Sequence, residues 1–397
     1  MNTKFSPAGI PGELIDAVLD HLDNDRVSLR ACTLVSSSWR SFARCHLLRT
    51  VVCRPNAARL SPRHLASFLS STPDVVPHIH SLKIIGSKTA SEIEVAVEDV
   101  LPLLSAFPNL KSLSFERVPL FTRARPNDPP IEAAPLPGSE PLTISLCAID
   151  YTDSTESFFR VLKDCLGTKP IHAFLRFASR DDHSSFPAFL NALGPKITHL
   201  SCNLLGSVGD VRMLTGGPGS DDLVYDERLN PHVDVPPCTS VTDLELYLTG
   251  SGYAYPDTQL MLLWGQFIAS GELAKFLAPD APIRRVTLRF QRFGPHTKAT
   301  ERMLSDLLSP SNWFQCIDWL ERLLLRFRRL ETLTCVLCDD GFAEQYGDYL
   351  PADPTPTAGS SVGEVIGREE EYAFYESFVR RSFPQFLAKG ILRIQRA

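Results

Sequence analysis

The chain has 397 residues, 44% of them hydrophobic and 22% charged, with a net charge of −6. This is an ordinary globular composition, long enough for a large core or two domains. The acidic balance excludes a general attraction to nucleic acid or an anionic membrane, and no window approaches the ~18 uninterrupted apolar residues of a membrane-spanning helix.

The segment around Lys4 carries no apolar run, so no secretory signal is expected. Ten cysteines are scattered, mostly in apolar segments, which points to reduced, buried thiols in cytosol or nucleus. From Pro11, which sets a first helical turn, Leu14, Ile15, Val18, Leu19 and Leu22 form one apolar stripe. Asp23-Asn24-Asp25 ends that helix, and Ser28 is the expected N-cap of a second carrying Leu29, Cys32 and Leu34. Ser36 can cap a third, with Trp39 at its start and Phe42, Ala43, His46 and Leu47 along it. Three such helices within roughly forty residues bury too little apolar surface to be stable alone. Something else should cover them.

The segment resembles an F-box, the adaptor motif of cullin-based ubiquitin ligases, in its fungal form. The matching elements are Ile10-Pro11-x-Glu13-Leu14, Val18-Leu19-x-x-Leu22, Leu29-x-x-Cys32-x-x-Val35-Ser36-x-x-Trp39 and the exit Leu47-Leu48-Arg49-Thr50-Val51. Ile10 stands where Leu is usual and Leu48 where Phe is common, and both keep apolar character. The resemblance implies a domain over residues 8–52 that binds the Skp1 linker protein and, through it, a cullin-RING ligase. It implies contact through Ile10, Pro11, Leu14, Val18, Leu19, Leu22, Leu29, Val35 and Trp39. The alternative for the same residues is an ordinary helical cap on the rest of the chain.

Beyond residue 50 a strand-like pattern recurs: Ile79-x-x-Leu82-x-Ile84, Leu110-x-x-Leu113-x-Phe115, Ile197-x-x-Leu200-x-Cys202, and longer copies from Val241, Ile283 and Leu330. Leu142-x-Ile144-x-Leu146 and Ile171-x-x-Phe174 are poorer copies. Helical stretches are expected between them over residues 95–106, 156–166, 186–193, 260–277 and 312–327. An aromatic helix over 369–386 and a strand at Ile391-Leu392-x-Ile394 close the series. The copies resemble degenerate leucine-rich repeats, whose parallel strands line an open arc covered by helices. Early spacings of about 26 to 32 residues fit that family, whereas later ones of more than about 40 exceed it and no asparagine ladder recurs. A non-repetitive α/β domain is the alternative. The expected fold is therefore α/β, with residues 53–397 forming a solenoid-like substrate-binding domain. Proline and glycine place long loops near 119–141, 206–237 and 339–367.

Outward strand positions nominate a recognition surface with Glu245, Tyr247, Arg285 and Arg289 as its candidate substrate contacts, Tyr247 serving as an aromatic anchor. The plainer reading pairs Glu245 with Arg285 or Arg289 across neighbouring strands. Arg322, Arg326 and Arg329 are spaced for one helix face, which suits phosphate or plain solvation. Enzyme chemistry finds no motif. Cys335-Val336-Leu337-Cys338 lacks a second pair, Gly216-Gly217-Pro218-Gly219 lacks a following Lys, and the histidines, among them His78, His80, His172, His183 and His199, are dispersed. No cofactor, catalytic residue, metal, nucleic acid or membrane is expected. The sequence reads as a non-catalytic adaptor that brings a protein substrate to a Skp1-cullin-F-box ligase, with a non-ligase scaffold or a capped α/β enzyme as alternatives.

Overall fold

A computed structural model describes residues 10–22, 25–55, 61–86, 95–121, 136, 138–147, 149, 153–176, 185–203, 238–250, 277, 280–292, 301, 320–322, 324–338 and 367–396. The chain divides into two compact units, residues 1–142 with 164–169, and residues 143–163 with 170–397. The expected loop at 206–237, all but Gly367 of that at 339–367, most of that at 119–141, and most of the expected helices at 260–277 and 312–327 lie outside the described residues.

The first unit begins with three helices, α1 (Gly12–Asp20), α2 (Arg26–Cys32) and α3 (Ser37–Arg49). Pro11 precedes α1, and its carbonyl accepts from the amides of Leu14 and Ile15. Asp25, not Ser28, caps α2. Its Oδ1 accepts from the amides of Val27 and Ser28, and Ser28 Oγ donates to Oδ2 at 2.5 Å, so the serine supports the cap instead of forming it. Those bonds from Ser28 hold the Asp25 carboxyl below its ordinary range. Ser36 caps α3 as its position requires, accepting from the Trp39 amide. Leu34 lies past the end of α2 and is exposed.

After α3 the chain runs directly into β1 (Thr50–Cys53), a strand that the apolar pattern does not announce. It is followed by α4 (Pro62–Ser71), β2 (Ser81–Ile85), β3 (Val95–Ala96), α5 (Val97–Ala106), β4 (Ser112–Glu116) and β5 (Leu120–Phe121). β1 pairs with β2 and β2 with β4, both parallel, while β3 and β5 form a separate parallel pair. Parallel neighbours require a crossover, and α4 and α5 supply it. The register sets Leu82 beside Leu113 and Ile84 beside Phe115, all essentially inaccessible.

β6 (Leu142–Cys147) leads to the second unit, with α6 (Asp153–Leu166), β7 (Ile171–Arg176), α7 (Ser185–Leu193), β8 (Ile197–Asn203), β9 (Asp243–Gly250), β10 (Arg285–Arg292), β11 (Thr332–Cys338), α8 (Arg368–Ser382), α9 (Pro384–Ala388) and β12 (Leu392–Arg396). In the first unit the strand order is β1-β2-β4, and in the second it runs from β7 through β8, β9, β10 and β11 to β12; every pairing whose register is described is parallel. The fold class is thus α/β with a mostly parallel sheet.

Within the second unit one row of buried residues repeats across the strands: Ala173, Leu200, Leu244, Val286 and Leu333 are neighbours in register. Aromatic rings in the same unit join helix to helix and helix to sheet. Phe159 of α6 meets Phe189 of α7 edge to face at 5.3 Å, and Phe290 of β10 contacts Tyr375 and Phe378 of α8. Glu321 is 5% exposed, and its Oε1 accepts from the Gln385 amide at 2.9 Å, satisfying an orphan donor at the start of α9.

Two local expectations change. On β7 the inward residues after Ile171 are Ala173 and Leu175, so Phe174 faces the other side. β7 itself alternates regularly, and the register against β8 shifts between Ile171 and His172, where Thr198 is skipped. Residues 320–322 and 324 are helical, but turns begin at 325, so Arg326 and Arg329 do not continue a helix face with Arg322. Leu320, Leu324 and Phe327 are buried as expected.

Candidate interaction surfaces

The apolar stripe of α1 divides by the 3.6-residue period. Ile15 and Leu19, one turn apart, are buried with Leu29 of α2 and Ala43 of α3, and Leu22, Cys32, Trp39, Phe42 and Leu47 pack around them. A Cβ on Gly12 would stand 2.8 Å from Cζ of Phe42, so the absent side chain lets α1 approach α3. Polar contacts also tie α1 to α3. The His46 side chain, 1% exposed, has Nε2 2.8 Å from Asp16 Oδ1 on α1, and Arg49 Nη1 donates to Asp20 Oδ1 at 3.1 Å.

With Ile15 and Leu19 committed to the core, Leu14 and Val18 turn outward. Ile10, Leu14, Val18, Val27, Leu34 and Val35 are between 49% and 80% exposed, and Pro11 is exposed as well. Of the nine residues nominated from the sequence, Ile10, Pro11, Leu14, Val18 and Val35 are therefore available to a partner. Leu19 and Leu29 are interior, and Leu22 and Trp39 support them. Val27 and Leu34 join the exposed set. The signal for Leu34 was its place after the α2 helix end, where no internal core position remains. Leu14 and Val18, one turn apart on α1, present exposed apolar side chains on one face, the kind of group that marks an interaction surface, whereas single ones need no explanation.

The second surface is the outward side of β7 to β12. Its first row runs His172, His199, Asp243, Arg285 and Thr332; its second runs Phe174, Ser201, Glu245, Thr287, Thr334 and Arg393. Tyr247 and Arg289 are neighbours in the third. The geometry brings together all four residues nominated here, but pairs them in a particular way. Glu245 bonds Arg289 and accepts from Ser201 Oγ at 2.9 Å, while Arg285 bonds Asp243. Arg289 also lies 5.8 Å from the Tyr247 ring centre.

Burial opposes ionisation of Glu245, but the bonds from Arg289 and Ser201 outweigh it and hold the carboxyl down at about 2. His199 Nε2 stands 3.9 Å from Glu245 Oε2, too far for a hydrogen bond. Stability from ionised Glu245 is complete above its ordinary value of 4.5 and is lost as pH falls toward about 2. Glu245→Gln is expected to lower stability at pH 7 by about 1–2 kcal/mol, a value reduced for solvent screening. The gap from the native chain should close between pH 4.5 and 2. Urea unfolding by circular dichroism over that range checks this, and a constant gap would contradict it.

Sequence reasoning missed the imidazole pair. His172 and His199 are far apart in sequence yet adjacent in register, with ring centres 5.6 Å apart and Phe174 5.5 Å from His199. Burial and the nearby His199 push the His172 imidazole down, against Asp243. His172 and His199 stand one residue after Ile171 and two after Ile197, so the strand pattern alone does not align them.

Among the described residues no group of three or more His, Cys, Asp or Glu is placed to hold a metal ion, and no helix is long and apolar enough to cross a membrane. Cys335 is 1% exposed and burial pushes its thiol up, as it pushes Cys53 and Cys238 up to about 12. Such thiols are poor nucleophiles and poor ligands. The Cys338 side chain lies outside the described residues. No family model matches the chain, and no curated protein matches it.

Proposed function

We propose that this chain is a substrate-recognition adaptor of a Skp1-cullin-F-box ubiquitin ligase. In this reading, the helices α1 to α3 form an F-box that docks the Skp1 linker protein. The strands that follow form a leucine-rich-repeat-like domain that presents a target. The observation that carries the reading is the division of α1: one edge fills the core of the three helices, while Ile10, Leu14 and Val18 remain exposed, as do Val27, Leu34 and Val35. An internal cap would bury those side chains. A docking element needs them outside, where covering them releases about 25 cal/mol per Å² of apolar surface.

The repeating buried row across parallel strands supports the repeat-like half of the reading. Such an adaptor performs no bond chemistry. It holds a target near a ubiquitin-charged enzyme and makes their encounter intramolecular. Co-expression with the Skp1 homologue of the source organism, followed by size-exclusion chromatography, tests it. Co-elution as a stoichiometric complex is expected. A stable monomer that ignores the homologue would overturn the reading and return α1 to α3 to the role of a cap.

A further inference from the structure

The outward face of β9 to β12 is layered by charge. In a chain with 46 acidic and 40 basic residues, the described outward positions of these strands carry three arginines, Arg285, Arg289 and Arg393, against two carboxylates, Asp243 and Glu245. The carboxylates lie deep: the Glu245 side chain is 10% exposed, whereas that of Arg285 is 69% exposed. Each carboxylate is bonded by the arginine of the next strand, and both bonds use the arginine Nε. A ligand approaching this face therefore meets guanidinium before carboxylate. The Nε bond also fixes the guanidinium plane, which lowers the entropy lost when the Nη groups engage an anion.

Spacing adds a second constraint. Arg285 and Arg289 lie on one strand and side, four residues apart, which is roughly 13 Å at ~3.3 Å per residue. An extended peptide presents same-side groups at that interval at its own positions i and i+4. Arg393, exposed on β12 two strands away, extends the cationic layer sideways.

We propose that this face binds an extended segment of a target protein that carries carboxylate side chains, with Arg285 and Arg393 as outer contacts and Arg289 beside Tyr247 as the inner one. This rests on the adaptor reading for its biological sense, but the binding itself needs no linker protein. The test is fluorescence anisotropy of the full chain with a labelled ten-residue peptide alternating Glu and Gly, against Lys-Gly and phosphoserine-Gly peptides of the same length. The glutamate peptide should bind, the lysine peptide should not, and added salt should weaken binding. Arg285→Ala and Arg393→Ala remove exposed side chains, and together they should weaken it about tenfold or more. Arg289 is left in place because its loss would strand the buried Glu245.

Absence of binding, equal binding of the lysine peptide, or an unchanged affinity in the double variant would overturn the proposal. Strong preference for the phosphoserine peptide would overturn its carboxylate assignment. If the peptide fails while the Skp1 homologue still co-elutes, this inference falls and the adaptor reading stands. The reverse result leaves a peptide-binding face without a ligase.

Discussion

Replacing Leu14 with Asp is expected to weaken docking of the Skp1 homologue by about 2 kcal/mol or more, roughly thirtyfold, because a charge would be buried in an apolar contact. The same change should leave the stability of the helices within about 0.5 kcal/mol. Leu14 is 57% exposed and occupies the first turn of α1, where a carboxylate suits the helix dipole. Calorimetric titration with the homologue, beside thermal unfolding of the free variant, separates the two effects. Unchanged affinity would remove this face from the interface. Trp39→Ala is a poorer probe, since Trp39 packs on the core of the three helices and its loss mixes folding with binding.

Leu19→Ala should do the opposite. Leu19 is fully buried between the helices, so truncation leaves a cavity and costs about 2–5 kcal/mol. A cluster of three short helices has little stability to spare. Amide exchange along residues 12–49 should accelerate in this variant, while Val18→Ala, one residue away but exposed, leaves exchange near that of the native chain. Equal effects at the two positions would contradict the division of α1 into a core edge and an outer edge.

Much of the architecture was legible because it rests on periodicity. The apolar residues at Leu82, Leu113, Leu200, Leu244, Val286 and Leu333 all mark strands, and each repeats the buried position of its neighbour. β1 escaped notice because Thr50, Val51 and Val52 show no alternation, being only partly buried beside β2. Asp and Ser both cap helices, so composition does not choose between Asp25 and Ser28; the amides of Val27 and Ser28 donating to Asp25 Oδ1 do.

The candidate surfaces were legible as lists and not as arrangements. A stripe at i, i+1, i+4 and i+5 is wide enough to serve two partners at once. Sequence alone does not say that Ile15 and Leu19 face inward while Leu14 and Val18 face outward. On the sheet, the pairing of Asp243 with Arg285 and Glu245 with Arg289 depends on register, as does the meeting of His172 and His199. Aligning the apolar repeats sets Asp243 opposite Arg285, but the diagonal bond of Arg289 to Glu245 and the one-residue shift that brings His199 beside His172 are not written in that pattern.

The most direct measurement is amide hydrogen exchange of the full chain with and without the Skp1 homologue. Protection on binding is expected over residues 10–20 and 27–35, where the exposed apolar side chains lie, with the strands from Ile171 onward unchanged. Binding that leaves residues 10–35 unprotected, or that protects the strands instead, would contradict the account.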